Sequence, residues 1–233
     1  MPSILLIDAF TLPMEMRFQK NFLNDFMEFW NDNVTEKSWL KLVSMRNTLK
    51  FVVIGGWSVY LYTKLHKSKD IDIIVDYETL RLLQSEYTLN KNDRLKKYEI
   101  KLDEFDIDIY LPGYSKLTVP VKDVIANTTL REGFNVPRPE FLLLLKTGAF
   151  IDRKDSIKGE KDSIDLVGLI FYADIDFALL KRLIDRYELE GYARTLAETV
   201  KRFDVNLAKY LNLNENGLSK LKKRYYEQLV SIQ

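Results

Sequence analysis

The chain has 233 residues, 46% of them apolar, enough for one large domain or for a catalytic domain with a smaller helical companion. Its 35 Lys and Arg nearly cancel 34 Asp and Glu, and a net charge of +1 excludes any general attraction to nucleic acid or anionic membrane, leaving only local patches. With no cysteine, disulfides, thiolate metal sites and cysteine nucleophiles are excluded, and the composition suits an intracellular protein.

At the N-terminus, Ile4-Leu5-Leu6-Ile7 is short, ends at Asp8 and follows no basic region, so it does not read as a targeting signal. No stretch approaches the roughly 20 apolar residues that span a bilayer, and the expectation is a soluble cytoplasmic protein with no membrane partner. A short strand is expected at 3–9 and helices over 14–31 and 35–48. Phe18, Phe22, Phe26 and Trp30, four apart, form a stripe that reads as core.

Phe51-Val52-Val53-Ile54 reads as a buried strand ended by Gly55-Gly56, with a helix following over 57–65. Ile71, Ile73 and Val75 then alternate with Asp70, Asp72, Ile74 and Asp76, the pattern of a strand carrying its acids on one face. Residues 77–90 look helical. Within 99–111 a second alternating run sets Phe105, Ile107, Ile109 and Leu111 against Asp106 and Asp108, and Pro112-Gly113 ends it.

Beyond Val136-Pro137-Arg138-Pro139 helical spacing dominates, with helices expected over 140–152, 160–171, 175–187, 188–203 and 214–231. The fold class is therefore α+β, a mixed sheet with flanking helices followed by an all-helical C-terminal domain. A boundary near 135 divides the chain into 1–135 and 136–233.

Three pieces of the first half carry chemistry. Gly55-Gly56-Trp57-Ser58 joins a strand to a helix, where glycines let backbone N–H groups approach a phosphate and the Ser58 hydroxyl can donate to it; a plain turn is the alternative. Asp70 and Asp72, at i and i+2 on a strand, project from one face and repel unless a cation lies between them. Asp106 and Asp108 repeat the spacing. If the two strands are neighbours, three or four carboxylates surround one point and hold two metal ions for in-line displacement. Hard oxygen ligands without histidine or cysteine favour Mg²⁺ or Mn²⁺. The pattern leaves open which of Asp106 and Asp108 is a ligand.

A strand, Gly-Gly, a helix, Asp-x-Asp and a third Asp on a later strand resemble the nucleotidyltransferase fold shared with DNA polymerase β, over roughly 50–112. The resemblance implies a metal-dependent transfer of a nucleoside monophosphate from a triphosphate to a hydroxyl acceptor. Asp70, Asp72 and Asp106 or Asp108 would hold the metals, and Gly55, Gly56, Ser58 and Ser68 the nucleotide. In the helical half Lys146, Ala149 and Arg153, then Lys161-Asp162 and Asp165, look like the AbiEii branch, many of whose members are toxins paired with an antitoxin protein. The acceptor that follows is an RNA, a protein or a small molecule.

Lys146 and Arg153, seven apart on one helical face, can reach the triphosphate, or else are a helix-capping and a solvated cation. Asp162 and Asp165 either position those two or, in the case of Asp165, help accept the substrate proton; an ion-pair network is the competing account. His66, the only histidine, reads as incidental. Lys220, Lys222, Lys223 and Arg224 beside Tyr225 and Tyr226 read as a solvated helix face rather than an RNA contact.

Overall fold

A computed structural model describes residues 31–233. The strand expected at 3–9, the helix over 14–31 and the aromatic stripe within it therefore fall outside the described residues, but for Asn31.

Helix α1 (Asp32–Arg46) starts where the Asn31 side chain accepts the N–H groups of Asn33 and Val34. It buries Thr35, Ser38, Leu42 and Met45, spaced three and four apart. Strand β1 (Val52–Ile54) is buried along its length, as its β-branched run requires, and leads directly into α2 (Gly55–Thr63). The Gly-Gly segment is thus the first turn of that helix. Strand β2 (Ile71–Ile74) runs antiparallel to β1, and Asp76 caps α3 (Tyr77–Glu86) by accepting the Thr79 N–H.

The run expected within 99–111 is one strand of a hairpin. β4 (Lys97–Lys101) and β5 (Asp106–Tyr110) pair antiparallel, and the Leu102 N–H donates to the Phe105 carbonyl across the reversal. The turn is made by Asp103 and Glu104, and β4 before it was not expected from the sequence. Strand β3 (Asn90–Asn92), helix α4 (Val121–Ala126) and the hairpin β6 (Thr128–Arg131) and β7 (Phe134–Pro137) were not expected from the sequence. All are short, and β3 is polar throughout. The hairpin turns at Glu132-Gly133, both with positive φ, the backbone of a two-residue turn that suits strand twist.

The seven strands form one mixed sheet in the order β3-β4-β5-β2-β1-β7-β6. β2–β5 and β1–β7 are parallel and the rest antiparallel. Val53, Ile71, Ile73, Ile107 and Ile109 share a core with Leu42 and Met45 of α1 and Leu80 and Leu83 of α3. On the opposite face Val52, Ile54 and Ile74 share a core with the C-terminal helices. These are α5 (Pro139–Arg153), α6 (Ile157–Tyr172), α7 (Phe177–Arg186), α8 (Tyr192–Arg202), a 3₁₀ helix (Val205–Leu211) and α9 (Glu215–Val230). Strand β7 lies across residue 135, so the sheet ends at Pro137, just before α5. Among the described residues no helix is long and apolar enough to cross a membrane.

Candidate active site

Strand register brings the acids together. Asp72 stands directly opposite Asp108 on the parallel neighbour β5, and Asp108 opposite Glu99 on β4. One row along, Asp106 stands opposite Lys101. Because side chains alternate, Asp70, Asp72, Asp106, Asp108, Lys97, Glu99 and Lys101 all belong to the face turned toward the C-terminal helices. Facing carboxylates force up each other's proton affinity. Burial and the Asp72 charge push Asp108 up to about 6, against the pull of Lys97. Burial also raises Asp72, with Lys146 opposing and Asp70 adding to the rise.

The rows do not merge. Positions two apart on a strand are separated by about 6–7 Å, and the outer row is engaged elsewhere. Asp70 Oδ1 accepts the Asp106 N–H at 3.1 Å, and Asp106 Oδ2 accepts from Lys101 at 2.5 Å. Among the described residues no three acidic or histidine side chains stand close enough to hold one metal ion. The expected focus of three or four carboxylates is therefore a pair, Asp72 and Asp108, with Asp70 and Asp106 beside it.

Gly55 closes over this pair. Its φ is +65°, and a Cβ there would lie 2.1 Å from Asp72 Oδ2, so both backbone and contact require glycine. Ile54 caps α2 without a side-chain hydrogen bond, so first-turn N–H groups of α2 remain to meet an anion. Gly56 permits a different approach: a Cβ there would sit 2.5 Å from the Ser68 Oγ. Ser58 and Ser68 are buried and line no part of the cleft described next, and the Ser58 hydroxyl has no hydrogen-bond partner among the described residues.

Antiparallel α5 and α6 build the facing wall. A Cβ on Gly159 would meet the Arg153 carbonyl at 2.3 Å, which shows how closely the helices cross. That crossing matches positions seven apart on α5 to positions three apart on α6. Lys146 donates to Asp165 at 2.6 Å, and Arg153 grips Asp162 with two hydrogen bonds, at 2.6 and 3.1 Å. Lys161 also reaches Asp165, at 3.5 Å. Burial alone would lower Lys146, but Asp165 and Asp162 overturn it and hold the ammonium charged. Burial would raise Asp165, but Lys146 and Lys161 hold it below the usual carboxylate range. A carboxylate so held is a poor proton acceptor, and its place suits positioning rather than base catalysis.

Between sheet and wall lies a cleft of about 460 Å³, lined by Asp72, Asp108, Gly55, Lys146 and Arg153 among others. Asp70, Asp106 and Asp165 do not line it. A groove of about 510 Å³ between α5, α6, α8 and the 3₁₀ helix is lined by Phe150, Phe203 and Leu207 and contains none of the carboxylates named above.

Residues 33–122 match the model of a family described as a nucleotidyltransferase of unknown function (DUF6036). Over those residues the chain is similar to nucleotidyltransferases. An antigenic nucleotidyltransferase-like protein from Paracoccidioides brasiliensis is 15% identical at a TM-score of 0.45, over 80% of this chain and 95% of that one. JHP933 from Helicobacter pylori is 14% identical at a TM-score of 0.39, over 95% and 93%. No curated protein matches the chain.

Three residues of this cleft escaped the sequence reading. Tyr110 lies over Asp72, its hydroxyl 3.5 Å from Oδ1. Lys97 donates to Asp108 at 2.6 Å and pairs with Glu99 at 3.0 Å. Lys116 lines the cleft, is exposed, and makes no ion pair with any described residue. Tyr110 continues the i, i+2 pattern of Asp106 and Asp108 and was legible from it. Lys97 needed the hairpin, and Lys116 carries no local signal.

Proposed function

We propose that the chain transfers a nucleoside monophosphate from a triphosphate to a hydroxyl acceptor. The observation that carries this is Asp72 standing in register with Asp108 beneath the Gly55 turn, at the floor of a cleft with a basic wall. Two carboxylates suit a hard cation, Mg²⁺ or Mn²⁺, whose remaining positions the phosphates and water complete. Bound there, the ion would neutralise the triphosphate and polarise the reacting phosphorus. Asp72 and Asp108 hold it, and Asp108, rather than Asp106, is the third acid of the motif. The α2 N-terminus with Gly55 and Gly56 receives phosphate oxygens, while Arg153 and Lys116 oppose charge on the departing pyrophosphate. Lys146 acts from within its ion-pair network, keeping the wall in place.

The test is incubation with each α-³²P-labelled ribonucleoside triphosphate and Mg²⁺ over a panel of RNAs, proteins and aminoglycosides. Label moves to one acceptor class, and Asp72→Asn abolishes it. The same panel decides whether an AbiEii-type toxin action on RNA or protein applies. A second reading, a fold that binds partners without turnover, draws on the lysines already neutralising Asp108 and Asp106. It predicts no transfer and no Mg²⁺-dependent thermal shift with any nucleotide.

A further inference from the structure

We propose that Lys97 is a built-in cation that stands where a second divalent ion would lie, so that the site takes one metal rather than two. The inference rests on the proposed nucleotidyl transfer and specifies its metal requirement.

Lys97 is not an ordinary surface lysine. Its side chain is 12% exposed although it lines the cleft, and its ammonium sits 2.6 Å from Asp108 Oδ2 and 3.0 Å from Glu99 Oε1. Glu99 is itself oriented, because the Asn92 side-chain amide donates to its Oε1 at 3.0 Å. Residues of β3, β4 and β5 thus combine to hold one ammonium against the acid that faces Asp72. Holding a lysine this way costs side-chain entropy and desolvation, which an exposed strand face would not require.

The charge arithmetic agrees. Asp72 and Asp108 cannot both ionise side by side without positive charge nearby. Lys97 supplies one such charge on Asp108 Oδ2, leaving Oδ1 and Asp72 for one cation. A second ion would need Asp108 together with Glu99, which stands opposite it, and the Lys97 ammonium engages both. Mg²⁺ is commonly held by one or two carboxylates plus substrate phosphates, so Asp72 and Asp108 suffice for one ion, while Lys97 keeps Glu99 and Asp108 Oδ2 from serving a second. The adjacent row repeats the device, with Lys101 on Asp106 at 2.5 Å.

The experiment is equilibrium dialysis of the full chain with Mn²⁺ and the α,β-methylene analogues of the four ribonucleoside triphosphates, each tested singly. The wild type is expected to retain one Mn²⁺ per bound nucleotide. Lys97→Met and Lys97→Gln are expected to retain two, and Lys97→Arg one. Without nucleotide, Mn²⁺ should raise the melting temperature of the neutral variants more than that of the wild type, because the metal replaces the missing ammonium. Two Mn²⁺ on the wild type, or one on the neutral variants, would overturn the inference and leave nucleotidyl transfer standing. Failure of the wild type to retain any nucleotide with Mn²⁺ would overturn both. Should one neutral variant fail to fold, the other and the wild-type count still decide the matter.

Discussion

Gly55→Ala is expected to destabilise the protein by about 2–5 kcal/mol, from two separable causes. At φ +65° a Cβ meets its own backbone, a cost of about 1–2 kcal/mol for a left-handed residue. The new methyl would also lie 2.1 Å from Asp72 Oδ2, 2.6 Å from its Cγ and 2.9 Å from its Cβ. Moving a packed side chain out of such an overlap adds about 1–3 kcal/mol. Gly113→Ala separates the two, because Gly113 has φ +75° with nothing within 4 Å of its Cβ position. It pays only the backbone term. At about 2–4 °C per kcal/mol for a chain of this size, melting should fall by about 2–8 °C for Gly113→Ala and about 4–20 °C for Gly55→Ala. Urea unfolding followed by circular dichroism, at equal m-values, measures both on one scale. The displaced Asp72 should also cost Gly55→Ala its Mg²⁺-dependent thermal shift with triphosphate. If Gly55→Ala is no less stable than Gly113→Ala, the close fit of the turn around Asp72 is refuted.

Lys146→Met removes the 2.6 Å partner of Asp165, leaving that nearly inaccessible carboxylate only Lys161 at 3.5 Å, and is expected to cost about 3–5 kcal/mol. Adding Asp165→Asn should restore part of that loss, a non-additivity that urea unfolding of the single and double variants would detect. The lone histidine is predicted to titrate below 6.5, since burial outweighs its hydrogen bond to the Tyr210 carbonyl; one imidazole signal in proton NMR reads this directly. A folded pKa below the unfolded value means that His66 contributes stability above pH 6.5 that is lost as pH falls through the folded pKa. His66→Gln should remove this acid-side loss, while Asp108, shifted the opposite way, persists in both proteins. Lys116→Gln should weaken Mg²⁺–triphosphate binding several-fold and flatten its salt dependence, measured by calorimetry at two ionic strengths, and an unchanged affinity would remove Lys116 from the site.

Periodicity made much of this molecule readable. The alternation of Ile71, Ile73 and Val75 with Asp70 and Asp72 identified a strand and its polar face, and the spacing in 140–171 identified two helices whose ends differ from those found by a few residues. Reading failed where elements were too short or too polar for a period to develop. Asn90–Asn92 has no apolar side chain, and Phe134–Pro137 ends in a residue that usually marks a break. Strand Lys97–Lys101 escaped because three of its five residues are charged.

Residue order alone determined that Asp72 and Asp108 each sit on a polar strand face, that glycines precede a helix, and that Lys146 and Arg153 share a helical side, since those facts follow from repeats of two and 3.6 residues. Which acids meet is a different matter. Parallel pairing of β2 with β5 set Asp72 against Asp108 and left Asp70 and Asp106 a row away, and the β4 hairpin delivered Lys97 to the same spot. Strand register and helix crossing join residues distant along the chain, and only closure of the sheet and its packing against α5 and α6 could choose those partners.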